Sequence, residues 1–82
     1  MTTIAKQRLE IIAKELRLLA DKQGNIARSE IEVSIGEHAG ISPQTMKQYF
    51  KWLTKDGTIK ETLNNPNLFK VSEGVKNGKT KN

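Results

Sequence analysis

The sequence contains no cysteine, so it can form neither a disulfide framework nor a thiolate metal site. It also contains no apolar run approaching ~18 residues, and we therefore expect no transmembrane helix and no membrane partner. The N-terminus lacks the architecture of a signal peptide. Since a chain without cysteine suits a reducing compartment, we expect a cytoplasmic protein.

Histidine and aromatic residues are also scarce. The only histidine, His38, has too few ligand-type partners for a zinc site, and we expect a helix-end side chain satisfied by water or a carbonyl. Nothing resembles a nucleophile–base–orienter set, a phosphate-cradling glycine loop or a converging carboxylate pair. We therefore expect no enzyme, and no metal, cofactor or small-molecule ligand. Four aromatic residues are too few for the surface stacking platforms of RNA readers.

The net charge of +5 is unevenly distributed along the 82 residues, which are enough for one domain with a small core. Residues 1–41 carry six bases and six acids, whereas residues 42–82 carry eight lysines and three acids. This segregation is typical of polyanion binding, although solubility charge with a lysine-bearing tail is the alternative. We interpret residues 1–72 as the domain and residues 73–82 as a flexible basic tail.

Residues 40–59 predict the helix around which the chain is organised. Gly40 supplies a turn, Ser42 can accept an amide hydrogen bond as the N-cap, and Pro43 suits the first helical position. The helical pattern continues to Asp56, and Gly57 is well placed as a left-handed residue just past the end. At about 100° per residue, Met46, Tyr49, Phe50 and Leu53 share one apolar face. The other side carries amides and amines without an acid: Gln44, Lys47, Gln48, Lys51 and Lys55.

A first helix is predicted from Thr2 or Thr3 to about Asp21, with Gly24 as the stop. Its core stripe consists of Ala5, Leu9, Ile12, Leu16 and Leu19. A second line, Ile4, Ile11 and Leu18, lies roughly 100° away. The helix is therefore either buried on two sides within its own domain or in contact with a partner, and we favour a homodimer interface.

The stretch between these helices is ambiguous because Ile31, Val33 and Ile35 alternate as in a strand. However, Ser29 with Glu32 fits a capping box, and we predict a short helix over residues 29–38, with Ile26 as a lone edge strand before it.

Two β-compatible runs follow the basic helix. Residues 58–63 and 68–72 are separated by Asn64-Asn65-Pro66-Asn67, which predicts a hairpin with a four-residue turn. Ile59 and either Phe69 or Val71 would face inward, while Lys60 and Lys70 would face outward. The predicted fold class is mostly α with a small β-hairpin.

This order of elements resembles the winged helix–turn–helix family of DNA-binding domains, particularly small members from archaea and their viruses or plasmids. The resemblance covers about residues 4–72 and rests on Ile35-Gly36, Gly40-Ile41-Ser42, Thr45-Met46, Tyr49-Phe50, Leu53 and Gly57-Thr58-Ile59. It implies three helices plus a wing, with helix 42–56 in the major groove and hairpin 58–72 against a neighbouring minor groove or phosphate.

The resemblance also implies roles for individual residues. Base edges and groove walls would be contacted by Gln44, Lys47, Gln48 and Lys51. Ser42 and Thr45 would meet phosphate at the helix start, Lys55, Lys60 and Lys70 would hold the backbone, and Asn64, Asn65 and Asn67 would form the wing tip. Non-specific attraction would come from Lys76, Lys79 and Lys81. The Tyr49 hydroxyl would reach a phosphate. For Trp52 we favour packing on the core or under the wing, the ordinary position of a lone tryptophan, and a dimer interface or a contact with sugar are the alternatives.

The chain departs from the family pattern at two places. Gly36 stands where alanine is usual, which weakens the second helix, and no arginine lies on the recognition helix to read guanine. We expect a sequence-preferring double-stranded DNA-binding protein, as a homodimeric transcription regulator. The alternatives are a replication or partition protein of a plasmid or virus, and a winged helix that binds only protein.

Overall fold

The computed structural model describes residues 3–72 as three helices and a three-stranded antiparallel sheet, which confirms the predicted α+β class and is a winged-helix-like arrangement. The elements are α1 Thr3–Leu19, β1 Asn25–Ala27, α2 Arg28–His38, α3 Pro43–Lys55, β2 Ile59–Thr62 and β3 Asn65–Val71. The predicted tail with Lys76, Lys79 and Lys81, and a cap at Thr2, lie outside the described residues. Within the described range, no helix is both long and apolar enough to cross a membrane.

Helix α1 forms because its aliphatic residues recur at three- and four-residue spacing and so share one face. That face is buried as predicted at Ala5, Leu9, Ile12 and Leu16, with Ala13 beside them. The prediction for Leu19 is wrong, since its side chain is exposed at the last helical position. The second line, Ile4, Ile11 and Leu18, is exposed by 60, 49 and 85%, so this domain does not bury the helix on a second side.

The end of α1 is determined by Asp21 rather than by Gly24 alone, and the helix is two residues shorter than predicted. The Asp21 carboxylate accepts hydrogen bonds from the backbone N–H groups of Gln23 at 2.8 Å and Asn25 at 2.9 Å. These bonds hold the pKa of Asp21 below its ordinary value, the Asn25 amide contributing most. Aspartate competes with the helix in this way by bonding amides further along the chain. Gly24 then turns the chain into β1 with a φ of 83°.

Helix α2 occupies residues that also fit a strand, and the helical prediction is confirmed. It begins at Arg28 with Ala27 as N-cap, so the predicted cap at Ser29 is wrong. The residue that reaches back is Glu30 rather than Glu32, because its Oε2 accepts the Ala27 N–H at 3.4 Å. The N-cap lies two residues before the predicted one because β1 ends at Ala27, and the pairing of β1 with β3 fixes where the helix starts.

The sheet has the strand order β1-β3-β2, with β3 in the centre. The lone strand predicted at Ile26 is confirmed as β1, which pairs antiparallel with β3 through Ile26 and Phe69. Strands β2 and β3 form the predicted hairpin, with Ile59 opposite Val71. Ile59, Phe69 and Val71 are all buried, so the alternating inward face is also confirmed.

The hairpin turn is shorter than predicted. Only Leu63 and Asn64 lie between the strands, and Asn65, Pro66 and Asn67 belong to β3. Glu61 pairs with Phe69 but Thr62 pairs with Asn65, so residues 66–68 form a bulge in β3. The Thr62 hydroxyl donates to the carbonyls of Asn65 and Leu68, both at 3.1 Å. Strand β1 pairs only with residues 68–70 of β3, so no carbonyl of β1 requires an N–H from Pro66. Proline, which lacks that N–H, is therefore tolerated at this position.

A single apolar core joins the three helices to the sheet. It contains Leu9, Ile12, Leu16, Ile26, Ile31, Ile35, Tyr49, Leu53, Ile59, Phe69 and Val71. Ile31 and Ile35 of α2 and Leu53 of α3 are completely buried, so the inner sides of both helices are fixed by contact with this core. Burial of each such side chain contributes about 1.5–3 kcal/mol, which orients α3 and determines which of its faces remains outside.

His38 contacts a carboxylate rather than the water or carbonyl that we predict from the sequence. Its Nε2 lies 3.3 Å from Oε1 of Glu15 on α1. The same carboxylate oxygen accepts a hydrogen bond of 2.6 Å from the hydroxyl of Ser34, which is fully buried on α2. The Ser34 hydrogen bond is the main reason that the pKa of Glu15 is lowered.

Candidate nucleic-acid interface

The interface candidate is the outer face of α3, and its position follows from how the helix begins and ends. Ser42 is the N-cap and its hydroxyl accepts the Thr45 N–H at 3.1 Å, while Pro43 occupies the first turn. Gly57 has a φ of 85° just past the end. Each of these predictions is confirmed. They could be made from the sequence because each feature depends on interactions within a few residues.

The inner face of α3 packs as its spacing predicts. Tyr49 and Leu53 are buried, and Met46 and Phe50 pack partly buried against the core. The Phe50 ring lies 5.8 Å from that of Phe69, so α3 is attached to the central strand of the sheet. The helix is therefore held along its length, and it cannot rotate about its axis without losing these contacts.

The opposite face of α3 is open to solvent and carries five side chains with amide or ammonium groups. Gln44, Lys47, Gln48, Lys51 and Lys55 are all exposed. The helix sequence contains no acidic residue, and none of its three lysines forms an ion pair with a carboxylate in the part of the chain that the structure describes. A shallow, open depression on this face is lined by Gln44, Thr45, Lys47, Gln48, Tyr49 and Lys51.

Ser42 and Thr45, both predicted to meet phosphate, also bond to each other. The Ser42 hydroxyl donates to Thr45 Oγ1 at 2.9 Å while it accepts the Thr45 amide. Its single hydrogen is therefore already used within the protein. The Thr45 hydroxyl accepts this bond and keeps its own hydrogen for an outside acceptor, so Thr45 is the better phosphate ligand of the two.

The hairpin places two lysines directly opposite each other. Lys60 of β2 and Lys70 of β3 are a cross-strand pair, and both are exposed. Like charges in this position are unfavourable, and a bound anion would relieve them. However, the Lys70 ammonium donates to the Gln23 carbonyl at 3.0 Å, which draws it towards β1 and leaves Lys60 as the freer cation.

The asparagines predicted for the wing tip remain exposed, but only Asn64 lies in the turn itself. Asn65 and Asn67 belong to the irregular start of β3, and the Asn65 side chain accepts the Asn67 N–H at 2.9 Å. Leu63 is the other turn residue, and its side chain is fully exposed.

Trp52 is half-buried against the core, as predicted, and it meets Tyr49 edge-to-face with ring centroids 5.1 Å apart. The predicted contact of the Tyr49 hydroxyl with phosphate stays a prediction.

Sequence reasoning missed Arg28, whose guanidinium lies 4.9 Å from the centroid of the Phe50 ring. This places a further cation beside α3, although Glu32 partly neutralises it at 3.5 Å. The signal was absent from the sequence because Arg28 and Phe50 belong to different helices and come together only through the core.

Comparisons with models of protein families, with curated proteins and with solved structures gave no match to this chain.

Proposed function

We propose that this chain is a sequence-preferring double-stranded DNA-binding protein of the winged-helix type, acting as a transcription regulator. The observation that supports this most directly is the exposed, acid-free outer face of α3, which is held in place by a buried inner face. An α-helix fits the major groove of B-DNA, and amide and ammonium groups are the partners that base edges and phosphates require.

In the proposed complex, α3 lies in the major groove. Gln44 and Gln48 form paired hydrogen bonds with adenine, and Lys47 and Lys51 reach the O6 and N7 of guanine. Thr45, Lys55 and Lys60 bind phosphates, and the hairpin approaches the adjacent groove with Asn64 at its tip. With roughly one phosphate contact per lysine engaged, Lys70 and the tail lysines Lys76, Lys79 and Lys81 included, we expect five to seven contacts per monomer and a slope of log K against log salt near −5.

The test is selection of bound sequences from a random DNA pool, followed by gel-shift titration of the selected site with the full chain. We expect Lys47→Ala and Gln48→Ala to relax the preference at one or two base positions, each at a cost of about 1–3 kcal/mol in discrimination. Lys6→Ala, which removes an exposed lysine from α1, is the matched control and should leave the preference unchanged. Variants that bind with unaltered preference would remove the base-reading role of α3.

The salt dependence and the footprint separate this proposal from its alternatives. A slope shallower than about −2, or negligible binding at ~100 mM salt, would favour a winged helix that binds only protein. Protection that spreads along the duplex would favour a replication or partition protein, whereas one compact protected site is the result expected for a regulator.

We further propose that the protein acts as a homodimer through Ile4, Ile11 and Leu18. These three aliphatic side chains lie in one line on α1 and are exposed by about half or more. A second copy offers the same line, and a two-fold interface between identical helices would bury both. Such a dimer would bind a site with two-fold symmetry.

Light scattering across protein concentration tests the dimer. Ile4→Lys or Ile11→Lys should shift the protein to monomer, since a charge replaces an apolar contact in the interface. Val33→Lys is the matched control, because Val33 is exposed by 60%, as is Ile4, but lies on α2. A wild-type chain that remains monomeric at high concentration, or equal effects of all three variants, would contradict this interface.

A further inference from the structure

Two glutamates and the histidine converge where α1 meets the end of α2. Glu15 comes from the C-terminal part of α1, and Glu37 and His38 are the last two residues of α2. One oxygen from each carboxylate and one ring nitrogen of His38 all lie within 4.8 Å of one another. The sequence gives no sign of this cluster, because twenty-odd residues separate Glu15 from the other two.

Within this cluster, His38 Nε2 contacts the Glu15 carboxylate without forming a well-aligned hydrogen bond. The atom is buried and lies 3.3 Å from Glu15 Oε1, but the approach does not have the geometry of a hydrogen bond. A buried nitrogen without a well-formed hydrogen bond is uncommon in proteins and requires an explanation. A bound metal ion would provide this explanation, because the lone pair of a neutral His38 imidazole would point at the ion.

The distance between Glu15 Oε1 and His38 Nε2 matches that between neighbouring ligand atoms of a metal ion. Zn–N and Zn–O bonds of about 2.0–2.2 Å at a tetrahedral angle place the ligand atoms about 3.4 Å apart. Glu15 Oε1 and His38 Nε2 lie 3.3 Å apart. Glu37 is exposed, so its side chain is free to rotate inwards to shorten its distances to the other two.

Ser34 supplies the outer contact that ligand carboxylates usually have. Its buried hydroxyl donates to Glu15 Oε1 at 2.6 Å and so fixes the orientation of that carboxylate. Hydrogen bonds of this kind hold metal ligands in position. The cluster lies near the protein surface, since the His38 and Glu15 side chains are 29 and 34% exposed.

From this arrangement we propose that Glu15, Glu37 and His38 form a binding site for a first-row divalent transition metal, of which Zn²⁺ is the representative. The imidazole selects such an ion over Mg²⁺ and Ca²⁺, which prefer oxygen ligands alone. Two carboxylates balance the double charge of the ion. The bound ion joins α1 to the end of α2 and so stabilises the pair of helices that precedes α3. This site is independent of DNA binding.

The proposal is tested by calorimetric titration of Zn²⁺ into the untagged full chain, together with thermal unfolding followed by Trp52 fluorescence. We expect one Zn²⁺ per chain and, at free Zn²⁺ about 100 times the Kd, a rise in Tm on the order of 10 °C. Co²⁺ should bind the same site and give a visible absorption band that Zn²⁺ abolishes.

Glu37→Gln and His38→Asn should each weaken Zn²⁺ binding by more than about tenfold and so remove at least about half of the rise in Tm at the same free Zn²⁺. Glu37 is exposed, so its variant is expected to fold normally. Glu10→Gln removes another exposed carboxylate from α1 and should bind Zn²⁺ as the wild type does. If Zn²⁺ neither binds at one per chain nor raises Tm, His38 simply pairs with Glu15 and the proposal fails. Equal binding by all three variants would also overturn it.

Discussion

The hydroxyl of Ser42 holds the start of α3 by two hydrogen bonds to the same residue, Thr45. It accepts the Thr45 N–H at 3.1 Å and donates to Thr45 Oγ1 at 2.9 Å. The two residues therefore have separate roles: Ser42 stabilises the helix, and Thr45 keeps a hydrogen that can be donated outwards.

Ser42→Ala should lower the free energy of unfolding by about 1 kcal/mol, because the N-cap acceptor is lost and an amide of the first turn is left unpaired. Urea unfolding followed by Trp52 fluorescence measures it. Ser42→Asp is the control, since aspartate is an equally good cap and should retain most of the stability. Equal losses in the two variants would show that the cap does not stabilise α3.

Thr45→Val tests the proposed phosphate contact. The variant should keep the cap, because the Thr45 N–H still bonds to Ser42, but it should bind DNA more weakly at every salt concentration. A neutral hydroxyl displaces no counterion, so the slope of log K against log salt should not change. Lys55→Ala is the contrasting variant and should make the slope shallower by about one. A changed slope for Thr45→Val would contradict the assigned role.

Gly36→Ala should stabilise the protein by about 0.5–1 kcal/mol, since alanine is the better residue in a helix interior. A Cβ at Gly36 would lie 3.2 Å from Cγ2 of Ile41, which is closer than ordinary contact. Ile41 is 84% exposed, so its side chain can move aside. Thermal unfolding of the single variant and of Gly36→Ala with Ile41→Ala separates the two effects. If Gly36→Ala destabilises the protein and the added Ile41→Ala restores its stability, the Ile41 side chain is held in place and cannot move aside.

Gly57→Ala should cost about 1–2 kcal/mol, because the residue has a φ of 85° and L-residues with a Cβ are strained there. An added Cβ would meet nothing within 4 Å, so the cost comes from the backbone alone. Gly57→Asn should cost less, as asparagine tolerates this conformation. Chemical denaturation of both variants gives the comparison, and an equal cost would contradict a purely conformational origin.

Asp21 should make stability fall in acid. Its pKa is lowered in the folded state by the amides of Asn25 and Gln23, so the charged form stabilises the fold above the unfolded pKa. This stability is lost as pH falls below about 4 and through the lower folded value. Asp21→Asn should flatten the dependence of unfolding free energy on pH between about 5 and 2. An unchanged acid slope in Asp21→Asn would show that these hydrogen bonds do not favour the carboxylate.

The sequence by itself determined α3 and the direction in which it faces. The cap at Ser42, the left-handed Gly57 and the two faces of the helix depend on contacts within four residues, and such contacts can be derived from spacing alone. The strand at Ile26 was also predictable, and so were the inward residues of the hairpin, because burial alternates along a hairpin strand.

Only the tertiary structure decided how segments distant in the sequence meet. Pairing of β1 with β3 set the start of α2, the bulge at residues 66–68 shortened the turn, and packing on Phe50 brought Arg28 beside α3. The junction of Glu15 with His38 has the same origin. Spacing describes which side of an element is apolar, but the partner of that side depends on how all the elements share one small core, and no local pattern contains that information.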